Sequence, residues 1–171
     1  MLIVASAGRE GYYATIMPAR NIVKSYLQDT FYHVYNRGAG GRTLFFEPKD
    51  YQTFLSIISN WIQEETIRRH EAGLHEPPLK ILAYCIMPNH YHIVLKQLDD
   101  ATAMKRMIHS VCTSYALYFN NKYNQQGHLF QSVYKARHIV ELADLQHITR
   151  YVHLNPLRSY NHYEWSSFRV Y

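Results

Sequence analysis

The order of strand-like and helix-like segments limits the possible folds of this chain more than any other feature of its sequence. Four segments are rich in β-forming residues: 30–37, 79–86, 90–95 and 133–140. Three segments space apolar residues as amphipathic helices do: one that begins at Pro48, one from Met104 to Phe119, and one from Asp144 to Tyr151. The order β-α-β-β-α-β-α predicts an α+β fold, a ferredoxin-like antiparallel sheet with helices on one face and an extra C-terminal helix.

Turn-forming and helix-ending residues support these boundaries. Gly38 follows the first strand, and the short turn that contains Pro88 and Asn89 joins the second and third strands into a predicted hairpin. Asp144 is predicted to cap the last helix, which must end before Pro156.

Length and composition indicate one packed domain. The chain has 171 residues, of which 47% are hydrophobic and 18% charged, as in a globular protein. Residues 1–28 show no clear period and are predicted to be a partly disordered N-terminal tail, so that residues 29–171 form the single domain. No apolar run approaches the roughly 18 residues of a membrane span, so no membrane partner is expected.

Charge and cysteine content indicate the kind of partner and the compartment. The net charge of +5 and the pI near 9.1 favour an anionic partner such as nucleic acid. Cys85 and Cys112 each stand in an apolar stretch, where buried reduced thiols are expected. A cytoplasmic location is therefore predicted.

His90 and His92 are the strongest candidates for a metal site. They are two positions apart in a predicted strand, so their side chains share one face with Cα atoms about 7 Å apart. Tyr91, Ile93 and Leu95 take the opposite face, which the helices are expected to cover. Two imidazoles on an uncovered face can chelate one metal ion, and this pair directly follows a tight turn.

Tyr151 and Asn155 are a second pair, placed four residues apart and therefore on one side of the last helix. The amide oxygen could complete a metal site, and the phenol could reach a phosphate held there. Spacing alone does not choose Tyr151 over its rivals as a nucleophile: Tyr115, Tyr118, Tyr123 and Tyr134.

Five strings of sequence, taken together, resemble a known family. They are FYHVYNRG (31–38), AYCIMPNHYHIVL (83–95), GHLFQSVYK (127–135), YVHLNPLR (151–158) and WSSF (165–168). In this order, across residues 30–168, they are similar to the REP-associated tyrosine transposases. That family belongs to the single-tyrosine HUH (His-hydrophobic-His) superfamily of transposases.

The resemblance implies a role for each site residue. His90 and His92 correspond to the metal-binding histidines, Tyr151 to the catalytic tyrosine, and Asn155 to the third metal ligand. Tyr91 departs slightly from the aliphatic residue or methionine usual between the histidines. The implied activity is that of a single-stranded DNA endonuclease and strand transferase, which uses Mg²⁺ or Mn²⁺ and forms a 5′-phosphotyrosine intermediate. The implied substrate is hairpin-forming repetitive DNA with a short recognition sequence at the foot of the hairpin.

DNA contacts are less specific in the sequence. Six cations are candidate phosphate contacts, although for any single one a solvated surface charge is the more common case: Arg37, Arg42, Lys135, Arg137, Arg150 and Arg158. Tyr32, Tyr35 and Trp165 could stack on unpaired bases or pack in the core. The expected partner is single-stranded or hairpin DNA, bound by a monomer or a homodimer.

Two other functions fit parts of the sequence. A domesticated, catalytically inactive protein that binds hairpin DNA or RNA would have no need of the set His90, His92, Tyr151 and Asn155. A metal-dependent phosphodiesterase that activates water would not need Tyr151. A covalent protein–DNA adduct distinguishes both from a tyrosine transposase.

Overall fold

The computed structural model describes residues 26–157 and 161–170, and at its centre is one four-stranded antiparallel sheet. The strands are β1 (Thr30–Arg37), β2 (Leu79–Met87), β3 (His90–Gln97) and β4 (Lys135–Ile139). The α-helices are α1 (Pro48–Glu71), α2 (Ala103–Lys122) and α3 (Leu142–His153), and 3-10 helices span Ala39–Gly41 and Ser167–Val170. The strand order β2-β3-β1-β4 confirms the predicted ferredoxin-like α+β fold.

The predicted hairpin is confirmed, and its turn is anchored to the rest of the domain. Pro88 and Asn89 form the two-residue turn between β2 and β3. The backbone N–H groups of Leu44 and Phe45 donate to the carbonyl of Pro88 at 2.7 and 3.0 Å. Because Leu44 and Phe45 are buried, these bonds hold the turn against the core and fix the start of β3 at His90.

The larger hydrophobic core lies between the sheet and helices α1 and α2. Tyr91, Ile93 and Leu95 of β3 point into this core and are fully buried. The ring of Tyr91 packs on Phe54 of α1 with centroids 5.1 Å apart. The apolar residues predicted for α2 are all buried: Met104, Met107, Ile108, Val111, Tyr115 and Phe119. We call this side of the sheet the α1–α2 face.

Helix α3 covers the other side, here called the α3 face, which was expected to be uncovered. Ile148 and Val152 of α3 are buried with Val94 and Ile139 in a second, smaller core. An amphipathic helix must bury its apolar stripe, and these strand residues offer the surface to do so. The expectation of an uncovered face is therefore wrong, and His92 on this face is only 5% exposed.

Two predicted boundaries are also corrected. Helix α3 begins after Glu141, so Asp144 lies in its first turn and is not its N-cap. The carboxylate of Asp144 instead accepts a hydrogen bond from Arg137 at 3.1 Å. Strand β4 is shorter than the predicted 133–140, because it pairs with β1 only from Lys135 to Ile139.

The chain just before β1 is already attached to the domain. The backbone N–H of Leu27 donates to the hydroxyl of Tyr32 at 2.9 Å, and the hydroxyls of Tyr26 and Tyr134 lie 3.2 Å apart. Residues 1–25 of the predicted tail 1–28 lie outside the described residues, as does Arg158. The division at residue 28 stays a prediction.

The two cysteines are free thiols on opposite sides of the sheet. Cys85 is buried in the core under α3, whereas Cys112 packs against the core of α1 and α2. Over the described ranges 26–157 and 161–170, no helix is both long and apolar enough to cross a membrane.

Candidate active site

The side-chain alternation of β3 and the end of α3 bring three predicted ligands together on the α3 face. His90 and His92 have ring centroids 5.2 Å apart. Asn155 lies just beyond α3, where its backbone N–H still bonds to the carbonyl of Val152 at 3.3 Å. Its Oδ1 lies 3.0 Å from Nε2 of His90. Two imidazoles and one amide oxygen therefore meet at the junction of a strand and a helix end.

The surroundings of His90 fit a cation between its ring and Asn155. Nδ1 of His90 is 2.7 Å from Oδ1 of Asn89, and its Nε2 faces the amide oxygen of Asn155. A neutral imidazole carries one N–H, so it can donate to only one of these oxygens. When Nδ1–H donates to Asn89, the Nε2 lone pair and the Asn155 oxygen are two acceptors side by side, an arrangement that suits a divalent cation.

Other metal-ligating side chains are not gathered elsewhere in the part of the chain that the structure describes. Within it, no group of three or more His, Cys, Asp or Glu side chains could hold a metal ion. A metal at His90 and His92 would thus take its third protein ligand from an amide, and Asn155 is in place to supply it.

A third histidine, His33 of β1, lies directly behind His92. Its Nε2 is 2.8 Å from Nδ1 of His92, and the two rings stack with centroids 5.0 Å apart. Burial and, secondarily, the charge of Arg137 lower the pKa of His33 to about 4.

The pKa values of the two candidate ligands are also lowered. Burial, followed by the neighbouring His33 and His90, holds the pKa of His92 well below 6.5. Burial lowers the pKa of His90 as well, against the opposing hydrogen bond of Asn155. At neutral pH the three rings are therefore uncharged, which is the state in which imidazole binds a metal.

Two tyrosine rings lie beside His92. Tyr151 of α3 meets the imidazole edge-on with centroids 5.6 Å apart, and Tyr35 of β1 stacks on it at 5.7 Å. Burial and the nearby Tyr151 raise the pKa of Tyr35 above 10.0, so its phenol is harder to ionise. Both phenols are close enough to the histidines to be considered as nucleophiles.

The four rival tyrosines all pack against the α1–α2 core, on the side of the sheet away from the histidines. The hydroxyl of Tyr115 donates to a backbone carbonyl at 2.7 Å, and Tyr118 and Tyr123 donate to the carboxylate of Asp50 at 2.9 and 2.6 Å. Tyr134 is 7% exposed, and burial raises its pKa. Each ring thus has a packing or hydrogen-bonding role in the core.

Three of the six predicted phosphate contacts border the site in the sheet. Arg37 pairs across from His90, and Arg137 pairs across from His33. Nζ of Lys135 stands 5.8 Å from the centre of the Tyr35 ring. Two strands thus line one side of the histidines with positive charge.

The other three predicted contacts are less closely placed. Arg150 is an exposed residue of α3, one position before Tyr151. Arg42 follows the 3-10 helix Ala39–Gly41. Arg158 lies outside the described residues.

The aromatic candidates for base stacking separate into packing and site residues. Tyr32 is 1% exposed and belongs to the core, while Trp165 stacks on Tyr51 with centroids 4.6 Å apart. Tyr35 alone among the three lies beside His92.

Sequence reasoning overlooked His33 as a site residue. The signal was present, because His33, Tyr35 and Arg37 alternate along one strand and must share a face. Only the pairing of β1 with β3 shows that this face also carries His90 and His92.

Fold and site together define a class of protein: a ferredoxin-like sheet with a His-x-His pair on one strand and a tyrosine on the helix that covers it. A family model described as "Transposase IS200 like" matches residues 42–155. The chain belongs to this family of IS200-like transposases. The matched range ends at Asn155 and includes the β2–β3 hairpin and α3.

Solved structures agree with the fold. A REP-associated tyrosine transposase, described as bound to a REP hairpin, superimposes with a TM-score of 0.69 at 13% identity, covering 89% of this chain and 84% of the other. A putative transposase from Deinococcus radiodurans R1 gives a TM-score of 0.43 at 12% identity, covering 77% and 95%. At these identities the first similarity concerns the fold alone, and the second adds nothing further. A comparison with curated protein sequences gave no match.

Proposed function

We propose that this transposase cuts and rejoins single-stranded DNA, with Tyr151 as the nucleophile and a divalent metal ion held by His90, His92 and Asn155. The observation that carries the proposal is the meeting of α3 with β3. Two residues one helical turn apart, Tyr151 and Asn155, contact two histidines of a distant strand at 5.6 Å between ring centroids and 3.0 Å between polar atoms. Pure DNA binding requires no such set.

Tyr151 supplies the attacking oxygen in this mechanism. The phenol oxygen bonds to phosphorus, the bond to the 3′ oxygen breaks, and the phenolic proton is lost while the departing oxygen gains one. The products are a free 3′-hydroxyl end and a 5′-phosphate joined to Tyr151. Because the ester bond is conserved, a 3′-hydroxyl can later attack the phosphotyrosine and rejoin strands without ATP.

When bound, a divalent cation stabilises the negative charge that develops on the oxygens of the scissile phosphate. His90 and His92 offer ring nitrogens to it, and Asn155 offers its amide oxygen. Imidazole ligands favour Mn²⁺, whereas Mg²⁺ prefers oxygen ligands. Edge contacts with His33 and His92 restrict the Tyr151 ring, so the phenol is oriented before DNA arrives.

The surroundings of the site favour unpaired DNA. His92 is only 5% exposed beneath α3, so a flexible single strand can bring a phosphate to the site more easily than a stiff duplex can. Lys135, Arg137 and Arg37 are placed to bind phosphates beside it. The similar structure described as bound to a REP hairpin supports hairpin DNA as the partner, and we propose that the cut lies in the single strand at the foot of the hairpin. The predictions of a domain at 29–171, a cytoplasmic location and a monomer or homodimer accompany this proposal.

Covalent capture of DNA tests the proposed nucleophile. A pool of hairpin oligonucleotides with randomised single-stranded flanks, labelled at the 3′ end, is incubated with the full chain and Mn²⁺ and run on a denaturing gel. The wild type should retain label in a protein band, and sequencing of the captured DNA should reveal the recognition sequence. Tyr151→Phe should bind the hairpins and capture none.

Matched variants separate the alternatives. Tyr35→Phe and Tyr134→Phe should both capture DNA, since the first keeps the stacked ring and the second lies in the core. Capture by Tyr151→Phe together with loss in Tyr35→Phe or Tyr134→Phe would reassign the nucleophile. Cleavage without any adduct would favour a water-activating phosphodiesterase, and hairpin binding without cleavage would favour an inactive binding protein.

A further inference from the structure

His33 is a buried histidine whose ring forms a side-chain hydrogen bond with another histidine, His92. It is 5% exposed, and its ring stacks on Tyr35 with centroids 5.0 Å apart as well as on His92. Its Nε2 lies 2.8 Å from Nδ1 of His92, a full hydrogen bond between two imidazoles. The sheet places this bond on the side of His92 that faces β1.

A hydrogen bond between two neutral imidazoles fixes which nitrogen of each ring carries the proton. One of the two nitrogens must donate and the other accept. If Nδ1 of His92 donates, its Nε2 keeps a lone pair free for a metal. If Nε2 of His33 donates instead, the proton of His92 sits on Nε2, and that nitrogen cannot be a ligand.

We infer that His33 is a positioning residue, which accepts the Nδ1–H of His92 and thereby holds the Nε2 lone pair of His92 ready for the metal ion. Metal-binding histidines are commonly oriented by a hydrogen-bond acceptor at the ring nitrogen that does not bind the metal. Here the acceptor is a second histidine supplied by the neighbouring strand. This role rests on the proposed metal site at His90 and His92.

The other candidate ligand has the same arrangement. Nδ1 of His90 lies 2.7 Å from Oδ1 of Asn89, which can only accept a proton. Both ligand rings therefore have an acceptor at Nδ1, one from the hairpin turn and one from β1. When Nδ1–H of His90 donates to Asn89, a proton on Nδ1 of His92 as well leaves two Nε2 lone pairs for one cation.

Nuclear magnetic resonance of the metal-free chain tests the inference directly. Full-length protein labelled with ¹⁵N-histidine gives two-bond ¹H–¹⁵N spectra that distinguish the two neutral forms of each ring, and His92→Gln identifies the signals of His92. The expected result is a proton on Nδ1 of His92 in the wild type. A proton on Nε2 of His92 would overturn the inference, whether or not the protein cuts DNA.

Metal binding supplies a second readout that requires no DNA. In His33→Phe the ring and its stacking are kept but the acceptor is removed, so Mn²⁺ affinity measured by electron paramagnetic resonance of the free ion should fall about 10- to 100-fold. His33→Gln, whose amide oxygen can reach the same position, should recover most of the affinity. Wild-type affinity in a folded His33→Phe, or equal losses in both variants, would contradict a role as hydrogen-bond acceptor.

His138→Phe is the matched control for these measurements. His138 is also a strand histidine with one side-chain hydrogen bond, 2.8 Å to Thr30, but it packs on Tyr32 toward the α1–α2 face. Its replacement should leave Mn²⁺ affinity and the His92 signals unchanged. If the proposed reaction of Tyr151 is wrong, the DNA adduct will be missing while the NMR signals of His92 and the Mn²⁺ affinity are as expected. The proposed reaction and the positioning role of His33 can therefore fail separately.

Discussion

The two faces of the sheet are built by the same strands and carry opposite kinds of side chain. The α1–α2 face holds a large core of aromatic and aliphatic residues, in which Tyr91 packs on Phe54. The α3 face has a much smaller apolar core and, next to it, three histidines and two tyrosines in contact. One step along β3, from Tyr91 to His90, passes from packing to polar contacts with Asn89 and Asn155.

This difference shows how a small domain can keep stability and chemistry apart. Alternation in a strand sends neighbouring residues to opposite faces of the sheet. The α1–α2 face can then supply most of the burial, while the α3 face accommodates buried polar rings that are costly unless they are hydrogen-bonded. Helix α3 both covers those rings and contributes Tyr151. Substitutions on the two faces should therefore have different effects.

The largest expected effect is on the stability of the α1–α2 face. Tyr91→Ala removes a fully buried ring and should lower the free energy of unfolding by about 3–5 kcal/mol, measured by urea denaturation. Tyr91→Phe keeps the ring and loses only the contact of its hydroxyl with Cys112 at 3.4 Å, so a loss below about 1 kcal/mol is expected. Similar stability in the alanine variant and the wild type would contradict the division between the faces.

The neighbouring residue should affect the reaction and not the fold. His90→Ala should slow adduct formation by about 100- to 1000-fold, about 3–4 kcal/mol, because it removes a proposed metal ligand. Its free energy of unfolding should change by less than about 1 kcal/mol. EDTA should inhibit the wild type to a similar degree. His109→Ala, an exposed histidine of α2, is the control and should react normally. Undiminished capture by His90→Ala in EDTA would exclude the metal site.

Acid should destabilise the α3 face through its buried histidines. In the unfolded chain His33 binds a proton near pH 6.5, but in the folded chain only near pH 4, so the unfolded state binds more protons between these values. The stability due to its neutral form is complete above pH 6.5 and is lost as the pH falls. About 2–3 kcal/mol should be lost by pH 4.5 in EDTA from His33 alone.

Urea denaturation at several pH values measures this loss, and His33→Gln should weaken the pH dependence. The groups that face His33 are Tyr35, His92, Arg137 and Tyr151. Asp50 does not interfere, because hydrogen bonds that outweigh its burial hold its pKa below 3.8. A wild type with constant stability from pH 6.5 to 4.5 would show that the histidines are not buried as neutral rings.

The smallest expected effect concerns a single phosphate contact beside the site. Lys135→Ala should reduce the slope of log binding constant against log salt concentration for a hairpin oligonucleotide by about one. Lys80→Ala is the control, because Lys80 lies on the distant edge strand β2 and pairs with Glu76 at 2.8 Å. Filter binding over a range of salt concentrations measures both. Equal slopes in all three proteins would remove Lys135 from the proposed DNA-binding surface.

Much of this organisation could be predicted from local patterns. The periodicity of α2 and the hairpin turn at Pro88 and Asn89 gave the right elements, because both depend on residues that are close in the chain. The position of α3 could not be predicted in the same way. Its apolar pair Ile148 and Val152 requires a partner surface, and the sequence does not say which face of the sheet provides it. The role of His33 was not predicted for a similar reason. Its contact with His92 exists because β1 pairs with β3, and the sequence does not show which strands are neighbours.

The sequence by itself determined which residues share a face: His90 with His92, Tyr151 with Asn155, and His33 with Tyr35. Strand and helix periodicities follow from backbone geometry, so they require no knowledge of the rest of the molecule. Tertiary structure decided which of these pairs meet. The pairing of β1 with β3 brings His33 to His92, and the packing of α3 brings Tyr151 and Asn155 to the same place. These contacts join distant parts of the chain, and they form because burial of the whole apolar surface selects one arrangement of the elements.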